Sequence, residues 1–462
     1  MAKRSEKTQF MCESCGADSP KWSGQCPGCG QWNTMVEFRP GAARPSGRGG
    51  ARASASAVPA QELSEVSVER VLRMDVASDE VNRVLGGGLV PGSLVVIAGD
   101  PGIGKSTLLL RIAAEIASRQ GKALYVTGEE SMAQVKMRAD RLGIKGNGLI
   151  LLQTTLLNDV ISHLEQVRPA AAVVDSIQTM FDDGLTSPAG SVAQIRECTR
   201  ILMEWAKVHD VPLILTGHVT KGGEIAGPKV LEHMVDVVLY LEGDPVSSWR
   251  LLRAVKNRFG STNEVGVFEM AERGLIEVSD PSSAFLAEHR EGAVGSAIVP
   301  VMEGSRPMLV EVQALTSPSV QPIPRRVATG IDLNRLLLVC AVLSRRVGVS
   351  LATQDVIVNV AGGLRISEPA ADLAVALAIA SSVKNVPVSS GTIAIGEIGL
   401  SGEVRRVPHL QRRISEAARL GLRKCIVPAG GEMGADRAVV DGTPVETLVH
   451  ALSLALPRGR ES

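Results

Sequence analysis

The chain has 462 residues, of which 45% are hydrophobic, 21% charged and 3% aromatic, and its formal net charge is zero. This length allows two or three domains, each with its own core, in a soluble globular protein. Balanced charge excludes a globally basic surface, and scarce aromatic side chains disfavour nucleic-acid binding by base stacking. The sequence has no run of 18 apolar residues and no apolar stretch near Met1. We therefore expect no membrane span, no secretory signal and a cytoplasmic location.

Four of the seven cysteines stand near the N-terminus in the spacing C-x2-C-x10-C-x2-C. They are Cys12, Cys15, Cys26 and Cys29. Two C-x2-C turns bring four thiolates together, which predicts a closed structural Zn²⁺ site in a domain at residues 1–38. A pair of disulfides is the alternative, which a cytosolic chain disfavours. The other three, Cys198, Cys340 and Cys425, stand singly in apolar surroundings and are interpreted as small buried hydrophobes.

Residues 39–62 are rich in Gly, Pro, Ala, Ser and Arg and have no apolar periodicity. This composition predicts a flexible linker. Together with the basic cysteine-rich segment it could contact nucleic-acid phosphates, and a simple soluble spacer is an equally good interpretation.

Residues 63–280 alternate short apolar runs with helical patterns. We expect strands at 93–98, 122–127, 149–153, 170–175, 212–217 and 235–241, and helices at 105–119, 131–142, 156–168 and 192–209. This alternation predicts a doubly wound α/β domain with a parallel sheet. Ligands of such domains bind at the carboxyl ends of the strands.

A complete G-x-x-x-x-G-K-[ST] loop separates the first of these strands from its helix. It consists of Gly99, Asp100, Pro101, Gly102, Ile103, Gly104, Lys105, Ser106 and Thr107. Its glycines allow backbone N–H groups to surround a phosphate, and the helix directs its positive end at the same oxygens. The motif predicts ATP binding, with Lys105 on the β- and γ-phosphates and Ser106 on Mg²⁺. We expect Lys105 to face a solvent-filled loop.

Polar side chains end three further strands. Asp175 follows a buried run in the Walker B arrangement and is expected to hold Mg²⁺ through water. Glu129 and Glu130 end another strand, and only one of them can face the γ-phosphate because successive residues point to opposite faces. His218 follows a fifth strand, where it could sense that phosphate, although a lone histidine is usually structural.

The segment Lys256-Asn257-Arg258-Phe259-Gly260 ends a strand with two cations around an asparagine. From the residues alone, a phosphate-contacting pair and a solvated hairpin end are equally good interpretations. The order of cysteine knuckle, RecA-like P-loop core, this pentapeptide and a Lon-protease-like C-terminal domain resembles the RadA (Sms) family of bacterial DNA repair proteins. The resemblance covers essentially the whole chain.

This resemblance implies a hexameric, DNA-stimulated ATPase that drives branch migration of recombination intermediates and is related to RecA and DnaB. The implied partners are single-stranded and branched DNA, other copies of the chain and a recombinase. Helicase-type similarity favours Glu129 as the water-positioning base. Lys256 and Arg258 would reach across a subunit interface, where an arginine finger can be worth about 10³–10⁵ in rate.

Two Gly-rich loops, at residues 182–190 and 221–227, occur where RecA-like proteins line their central channel. Such loops are expected to be mobile until they meet a ligand. The first is acidic, so Lys221 and nearby Lys229 are the better candidates for DNA phosphate contacts.

Residues 285–455 resemble the Lon proteolytic domain around 365–374 and 396–404. That resemblance puts Ala370 at the position of the serine nucleophile and Gln411 at the position of the lysine base, so we expect no proteolysis. The domain is then a packing scaffold with a basic cluster, formed by Arg405, Arg406, Arg412 and Arg413. This cluster could follow a DNA backbone, or it could be a solvated helix face.

Other function classes stay open at this point. An ATP-gated DNA clamp would bind DNA without moving a branch point. A peptide-binding regulator would respond to ATP without stimulation by DNA. An autokinase would transfer phosphate to a Ser or Thr of the protein itself.

Overall fold

The computed structural model describes residues 9–12, 18–28, 30–38, 62, 73–218, 231–243, 247–431 and 440–456. The chain divides into two compact units. The first comprises Met1–Glu242, Leu251–Thr262 and Met270–Glu277, and the second comprises Gly243–Arg250, Asn263–Glu269 and Val278–Ser462. Within the described ranges, no helix is both long and apolar enough to cross a membrane.

A small antiparallel sheet forms near the N-terminus. Its central strand β1 (Gln9–Cys12) pairs with β2 (Asp18–Ser19) on one side and with β3 (Met35–Phe38) on the other. The side chains of Cys12, Cys26 and Met35 are buried together. This cluster of described residues is small, and a small apolar core is the situation in which a structural metal contributes folding energy.

The region that contains the G-x-x-x-x-G-K-[ST] loop is built on a nine-stranded sheet. Its strands are β4 (Leu94–Gly99), β5 (Ala123–Thr127), β6 (Leu149–Gln153), β7 (Ala171–Asp175), β8 (Leu213–His218), β9 (Val237–Glu242), β10 (Trp249–Asn257), β11 (Val265–Ala271) and β12 (Gly274–Glu277). The spatial order is β12-β11-β10-β9-β4-β8-β7-β5-β6. Strands β9, β4, β8, β7, β5 and β6 pair in parallel, and β10 pairs with β9 in the antiparallel sense. All of β4, β5 and β7 is buried, as continuous apolar runs predict for a sheet covered on both faces.

Helices accompany this sheet within the described ranges. They are α1 (Asp79–Leu85), α2 (Lys105–Arg119), α3 (Met132–Arg141), α4 (Leu157–Val167) and α5 (Val192–His209). The predicted bounds of α2 and α5 are confirmed, and the other predicted helices and strands are present with ends shifted by at most a residue or two. Ser131 and Gln134 form a capping box at the start of α3, and Ser191 caps α5, so local hydrogen bonds fix where both helices begin.

The C-terminal unit is a mixed α+β fold around a seven-stranded sheet. Its strands are β13 (Ser296–Glu303), β14 (Arg306–Pro318), β15 (Arg326–Thr329), β16 (Gln354–Val360), β17 (Thr392–Ala394), β20 (Lys424–Pro428) and β21 (Asp441–Val445), in the order β15-β16-β14-β13-β17-β20-β21. Two short strands, β18 (Glu397–Ile398) and β19 (Val404–Arg405), form a separate pair.

The α-helices that the structure describes in this unit are α6 (Pro281–Leu286), α7 (Leu333–Val342), α8 (Asp372–Lys384), α9 (Leu410–Arg419) and α10 (Leu448–Ala455). A π-helical turn, Leu343–Val347, continues α7, and single 3₁₀ turns occupy Ala361–Gly363 and Pro369–Ala371. Every residue from Asp372 to Ser381 is buried, so α8 is a central core helix rather than a surface helix.

Candidate active site of the P-loop domain

The P-loop connects β4 to α2 in a conformation that requires glycine. Gly102 and Gly104 have φ values of 78° and 114°. A Cβ on Gly104 would also lie 3.0 Å from side-chain atoms of Leu275 and Met270. The glycines therefore allow both the left-handed backbone and the close packing beneath the loop.

Lys105 is the first residue of α2 and is only 4% exposed. Its ammonium group donates hydrogen bonds to the carbonyl oxygens of Gly99 at 2.7 Å and Asp100 at 2.9 Å. The expectation that this side chain faces a solvent-filled loop is therefore wrong. Its long aliphatic stem is buried by the loop that it follows, and the loop's own carbonyls satisfy its charge.

Burial and three carboxylates have opposite effects on the pKa of Lys105. Burial lowers the pKa of the Lys105 ammonium. The carboxylates of Asp175, Asp100 and Glu129 oppose this shift. Two carboxylates that follow different strands, Asp175 and Glu129, thus act electrostatically on the same ammonium group, as the carboxyl edge of a parallel sheet predicts.

Asp175 ends β7 and is 8% exposed. Its Oδ2 accepts a hydrogen bond of 2.7 Å from the Tyr125 hydroxyl, and its Oδ1 accepts one of 2.7 Å from the Thr216 hydroxyl. Burial raises the pKa of Tyr125 well above 10, so its hydroxyl remains a donor. A carboxylate at this edge, with the Ser106 hydroxyl at the start of α2, is a set of oxygen donors that suits Mg²⁺.

The structure separates the two adjacent glutamates. Glu129 accepts a hydrogen bond of 2.5 Å from the hydroxyl of Ser176, the residue that follows Asp175. Glu130 instead forms an ion pair with Arg138 on α3. Thr127 fixes this turn, because its hydroxyl accepts from the backbone N–H of Glu130 and donates to the Glu130 carbonyl.

His218 is the last residue of β8, and its backbone lies in register with Gly99 at the end of β4. This puts its backbone beside the first residue of the P-loop. Residues 221–227 and Lys229 lie outside the described residues. The acidic loop 182–190 is described, and buried Gln194 of α5 donates to the carbonyls of Asp182 and Ser187.

The pentapeptide is held within its own chain. The Lys256 ammonium donates to the carbonyls of Glu232 and Val235, at 2.5 and 2.9 Å. Arg258 forms a 3.0 Å ion pair with buried Asp236 while its side chain remains 49% exposed. Of the two cations, Arg258 is therefore the one that extends towards solvent.

Asn257 attaches the pentapeptide to helix α1. Its amide nitrogen contacts the carbonyls of Val84 and Leu85 at 3.3 Å, and its amide oxygen accepts from the N–H of Phe259. Arg73 completes the contact by donating to the carbonyls of Leu85 and Phe259. Asn257 and Arg73 thus satisfy carbonyls that the end of a helix leaves unpaired.

Two of the four cysteine ligands predicted for zinc are described, and both are buried. The Gly28 N–H lies 3.3 Å from Cys26 Sγ, and Cys12 Sγ lies 3.1 Å from the Thr34 hydroxyl. A hydrogen bond donated to sulfur stabilises a thiolate ligand, so the contact of the Gly28 N–H with Cys26 Sγ fits a metal site, whereas Cys12 Sγ is the donor in its contact with Thr34. Cys15 and Cys29 lie outside the described residues.

In the C-terminal unit, Ala370 is buried in a 3₁₀ turn and Gln411 is exposed on α9. Neither has a group that can act as nucleophile or base.

The predicted cluster of four arginines is wrong in one member. Arg413 is fully buried and forms a bidentate pair with Glu368, whereas Arg405, Arg406 and Arg412 are exposed. Of these, Arg405 pairs with Glu403.

Sequence reasoning missed several residues of the site. Ser176 could have been found from its position directly after Asp175. Tyr125, Thr216 and Arg73 act through contacts between distant segments, so no local signal identifies them.

These features define a P-loop ATPase with a RecA-like doubly wound core. Residues 59–224 match the family model described as AAA domain. Residues 310–431 match the model of subunit ChlI of Mg-chelatase, consistent with a Lon-protease-like C-terminal domain, and residues 10–37 match a rubredoxin metal binding domain.

The chain is similar over nearly its whole length to proteins named DNA repair protein RadA. It is 50% identical over 459 residues to the one from Halalkalibacterium halodurans, covering 99% of this chain and 100% of the relative. It is 51% identical over 424 residues to the protein from Bacillus subtilis, covering 92% of this chain and 93% of the relative. It is 48% identical over 463 residues to the protein from Listeria monocytogenes, covering 99% of this chain and 100% of the relative. The chain belongs to the RadA family of DNA repair proteins.

Proposed function

We propose that this chain is a DNA-stimulated ATPase of recombinational repair that assembles as a homo-hexameric ring and drives branch migration of recombination intermediates. Its partners are then single-stranded and branched DNA and a recombinase. The observation that carries the proposal is the P-loop with Lys105 held on its carbonyls, together with the hydrogen bond that joins Glu129 to Ser176, the residue after Asp175. The relatives, which are named for DNA repair, supply the biological context.

In the proposed reaction, Lys105 and the P-loop amides hold the β- and γ-phosphates of ATP. Ser106 and Asp175 would hold Mg²⁺, which neutralises charge on these phosphates when it is bound. Glu129, which meets Ser176 beside Asp175, orients the attacking water. The ion pair of Glu130 with Arg138 commits that carboxylate to α3, which supports Glu129 for this role.

We assign Lys256 and Arg258 to the interface between subunits, with His218 as the sensor of the γ-phosphate. The Arg258 side chain is 49% exposed, which supports an arginine finger that extends from its own subunit to the nucleotide site of the neighbouring subunit. Such a finger stabilises charge on the transferring phosphoryl group. Cys12, Cys15, Cys26 and Cys29 would hold one structural Zn²⁺, a role that four thiolates suit.

The C-terminal domain serves as a scaffold without peptidase activity, because Ala370 and Gln411 replace both reactive groups. We assign its DNA contacts to three exposed arginines, Arg405, Arg406 and Arg412. Replacing all three by Ala should reduce the salt slope of DNA binding by about 0.9 for each lost phosphate contact. An unchanged slope would mean that these three arginines are solvated surface residues without a DNA contact.

The deciding experiment measures ATP turnover with and without single-stranded DNA, beside a three-strand branch-migration assay. Lys105→Ala should lower turnover at least about 100-fold, the scale of losing one group that stabilises transition-state charge. Lys145→Ala, an exposed lysine outside the site, is the matched control. Retained turnover in Lys105→Ala overturns the ATPase site.

The same assays separate the other function classes. DNA-stimulated turnover without branch movement reduces the proposal to an ATP-gated clamp. Turnover that responds to peptide and not to DNA replaces it with a peptide-binding regulator.

A further inference from the structure

One carboxylate in the site is held by hydroxyl groups from both neighbouring strands. Strand β7, which ends at Asp175, lies between β5 and β8 in the sheet. Tyr125 of β5 donates to Oδ2 of this carboxylate and Thr216 of β8 donates to Oδ1, each at 2.7 Å. Each carboxylate oxygen therefore has its own hydroxyl donor, and each donor comes from a different strand.

Both donors are buried completely, with 0% exposure, and Asp175 is 8% exposed. Burying a hydroxyl is unfavourable unless it forms a hydrogen bond. The carboxylate is the described side-chain partner of the Tyr125 hydroxyl, and the Thr216 hydroxyl has a second, longer contact of 3.5 Å with the Val174 carbonyl. Phe and Val would supply nearly the same shape without a hydroxyl, so the contribution specific to Tyr125 and Thr216 is their hydrogen bonds to the carboxylate.

Holding both oxygens fixes the plane of the carboxyl group. The terminal torsion of an aspartate is otherwise broad, so the group samples many orientations. Each oxygen accepts one of these hydrogen bonds and keeps a further lone pair for another partner. The two hydroxyls thus orient the carboxylate without using all of its acceptor capacity.

We propose that Tyr125 and Thr216 are positioning residues that orient the Asp175 carboxylate towards the divalent cation bound with nucleotide. This inference rests on the proposed function, in which Asp175 holds that cation. Neither residue touches the nucleotide in this proposal. Their effect is to reduce the freedom that Asp175 loses when the cation binds.

The test measures Mn²⁺ binding to the full-length protein with saturating ADP by electron paramagnetic resonance. Tyr125→Phe and Thr216→Val should each raise the half-saturating Mn²⁺ concentration about tenfold, while ADP affinity in EDTA stays unchanged. Thr216→Ser, which keeps the hydroxyl and removes a methyl group, should remain within about twofold of the parent. These values follow from losing or keeping one hydrogen bond to a charged group.

Matched controls remove a hydroxyl elsewhere. Tyr240→Phe alters the only other tyrosine of the sequence. Thr199→Val removes a fully buried hydroxyl that has no hydrogen-bond partner among the described residues. Both should bind Mn²⁺ as the parent does.

The serine and valine variants at position 216 separate orientation from packing. If Thr216 acts only through packing, Ser is worse than Val because Ser leaves a cavity. That order, or parent-like Mn²⁺ binding in both Tyr125→Phe and Thr216→Val, overturns the inference. Asp175→Asn separates the proposed role of Asp175 from the positioning role of Tyr125 and Thr216. If this variant binds Mn²⁺ normally, the proposed role of Asp175 fails. If it loses Mn²⁺ binding while Tyr125→Phe and Thr216→Val bind as the parent does, only the positioning role is refuted.

Discussion

Replacing Arg413 tests whether this arginine is a core residue or a DNA contact. Its guanidinium donates to Glu368 through two nitrogens, at 2.7 and 2.5 Å, and to the carbonyls of Pro300 and Pro408 at 2.6 and 3.1 Å. The Arg413 side chain is 0% exposed and that of Glu368 is 21% exposed. Arg413→Ala removes all of these contacts and leaves a carboxylate without its cation.

Breaking a buried ion pair by removing one partner costs about 3–5 kcal/mol. Glu368 keeps some solvent contact and still accepts from the Met302 N–H, so we expect the lower end, about 3 kcal/mol. Since a chain of several domains has no single free energy of unfolding, hydrogen exchange is the suitable assay. Protected amides of β13 and α8 should exchange more than about 100-fold faster in Arg413→Ala.

Arg412→Ala is the matched control, because it removes the same charge from an adjacent, exposed position. Its described hydrogen bond is a 3.4 Å contact with the Ser305 carbonyl, so its stability should change by no more than about 0.5 kcal/mol. Replacing Arg413 and Glu368 together by Met should restore much of the protection, because no unpaired charge remains. Equal exchange in Arg413→Ala and Arg412→Ala would refute the reasoning.

Three further predictions concern other parts of the chain. Purified protein should contain about one zinc per chain by elemental analysis, and Cys26→Ser should lose it, whereas full metal content in that variant would exclude Cys26 as a ligand. Arg258→Ala should lose ATP turnover and regain part of it when mixed with Lys105→Ala subunits. The reason is that an interface in the mixture can combine an intact arginine finger with an intact P-loop. Normal turnover by Arg258→Ala alone would exclude the finger. Burial raises the pKa of Cys198 to about 12 and also raises those of Cys340 and Cys425. These three thiols should therefore resist iodoacetamide at pH 8 until the protein unfolds, as mass spectrometry would detect; rapid native labelling would contradict their burial.

The helical phase of α9 explains why the arginine cluster was only partly predictable. Leu410, Arg413, Ile414 and Ala417 are its buried residues. They follow the spacing i, i+3, i+4 and i+7 of an apolar helix face. The closeness of four arginines in the sequence predicts one basic surface. The helical periodicity of the apolar residues around Arg413 instead puts this residue on the buried face of α9. The information was present in the sequence, but only helical geometry reveals it.

Other features had no local signal. The P-loop and its helix could be predicted because one short motif determines both. The burial of Lys105 depends on how its side chain turns back onto the carbonyls of Gly99 and Asp100. The hydroxyls on Asp175 come from residues about 40 to 50 positions away in the chain, so only the parallel pairing of strands brings them together.

The contact of Asn257 with helix α1 limits how segments of this protein can be exchanged with those of other ATPases in a chimera. An insertion of residues 256–260 into another ATPase would carry the two cations but not the helix end that orients them. The Asn257 amide would lose its partners, the carbonyls of Val84 and Leu85, which lie more than 170 residues earlier. A functional chimera should therefore take its junction before Arg73, so that helix α1 and the pentapeptide are inherited together.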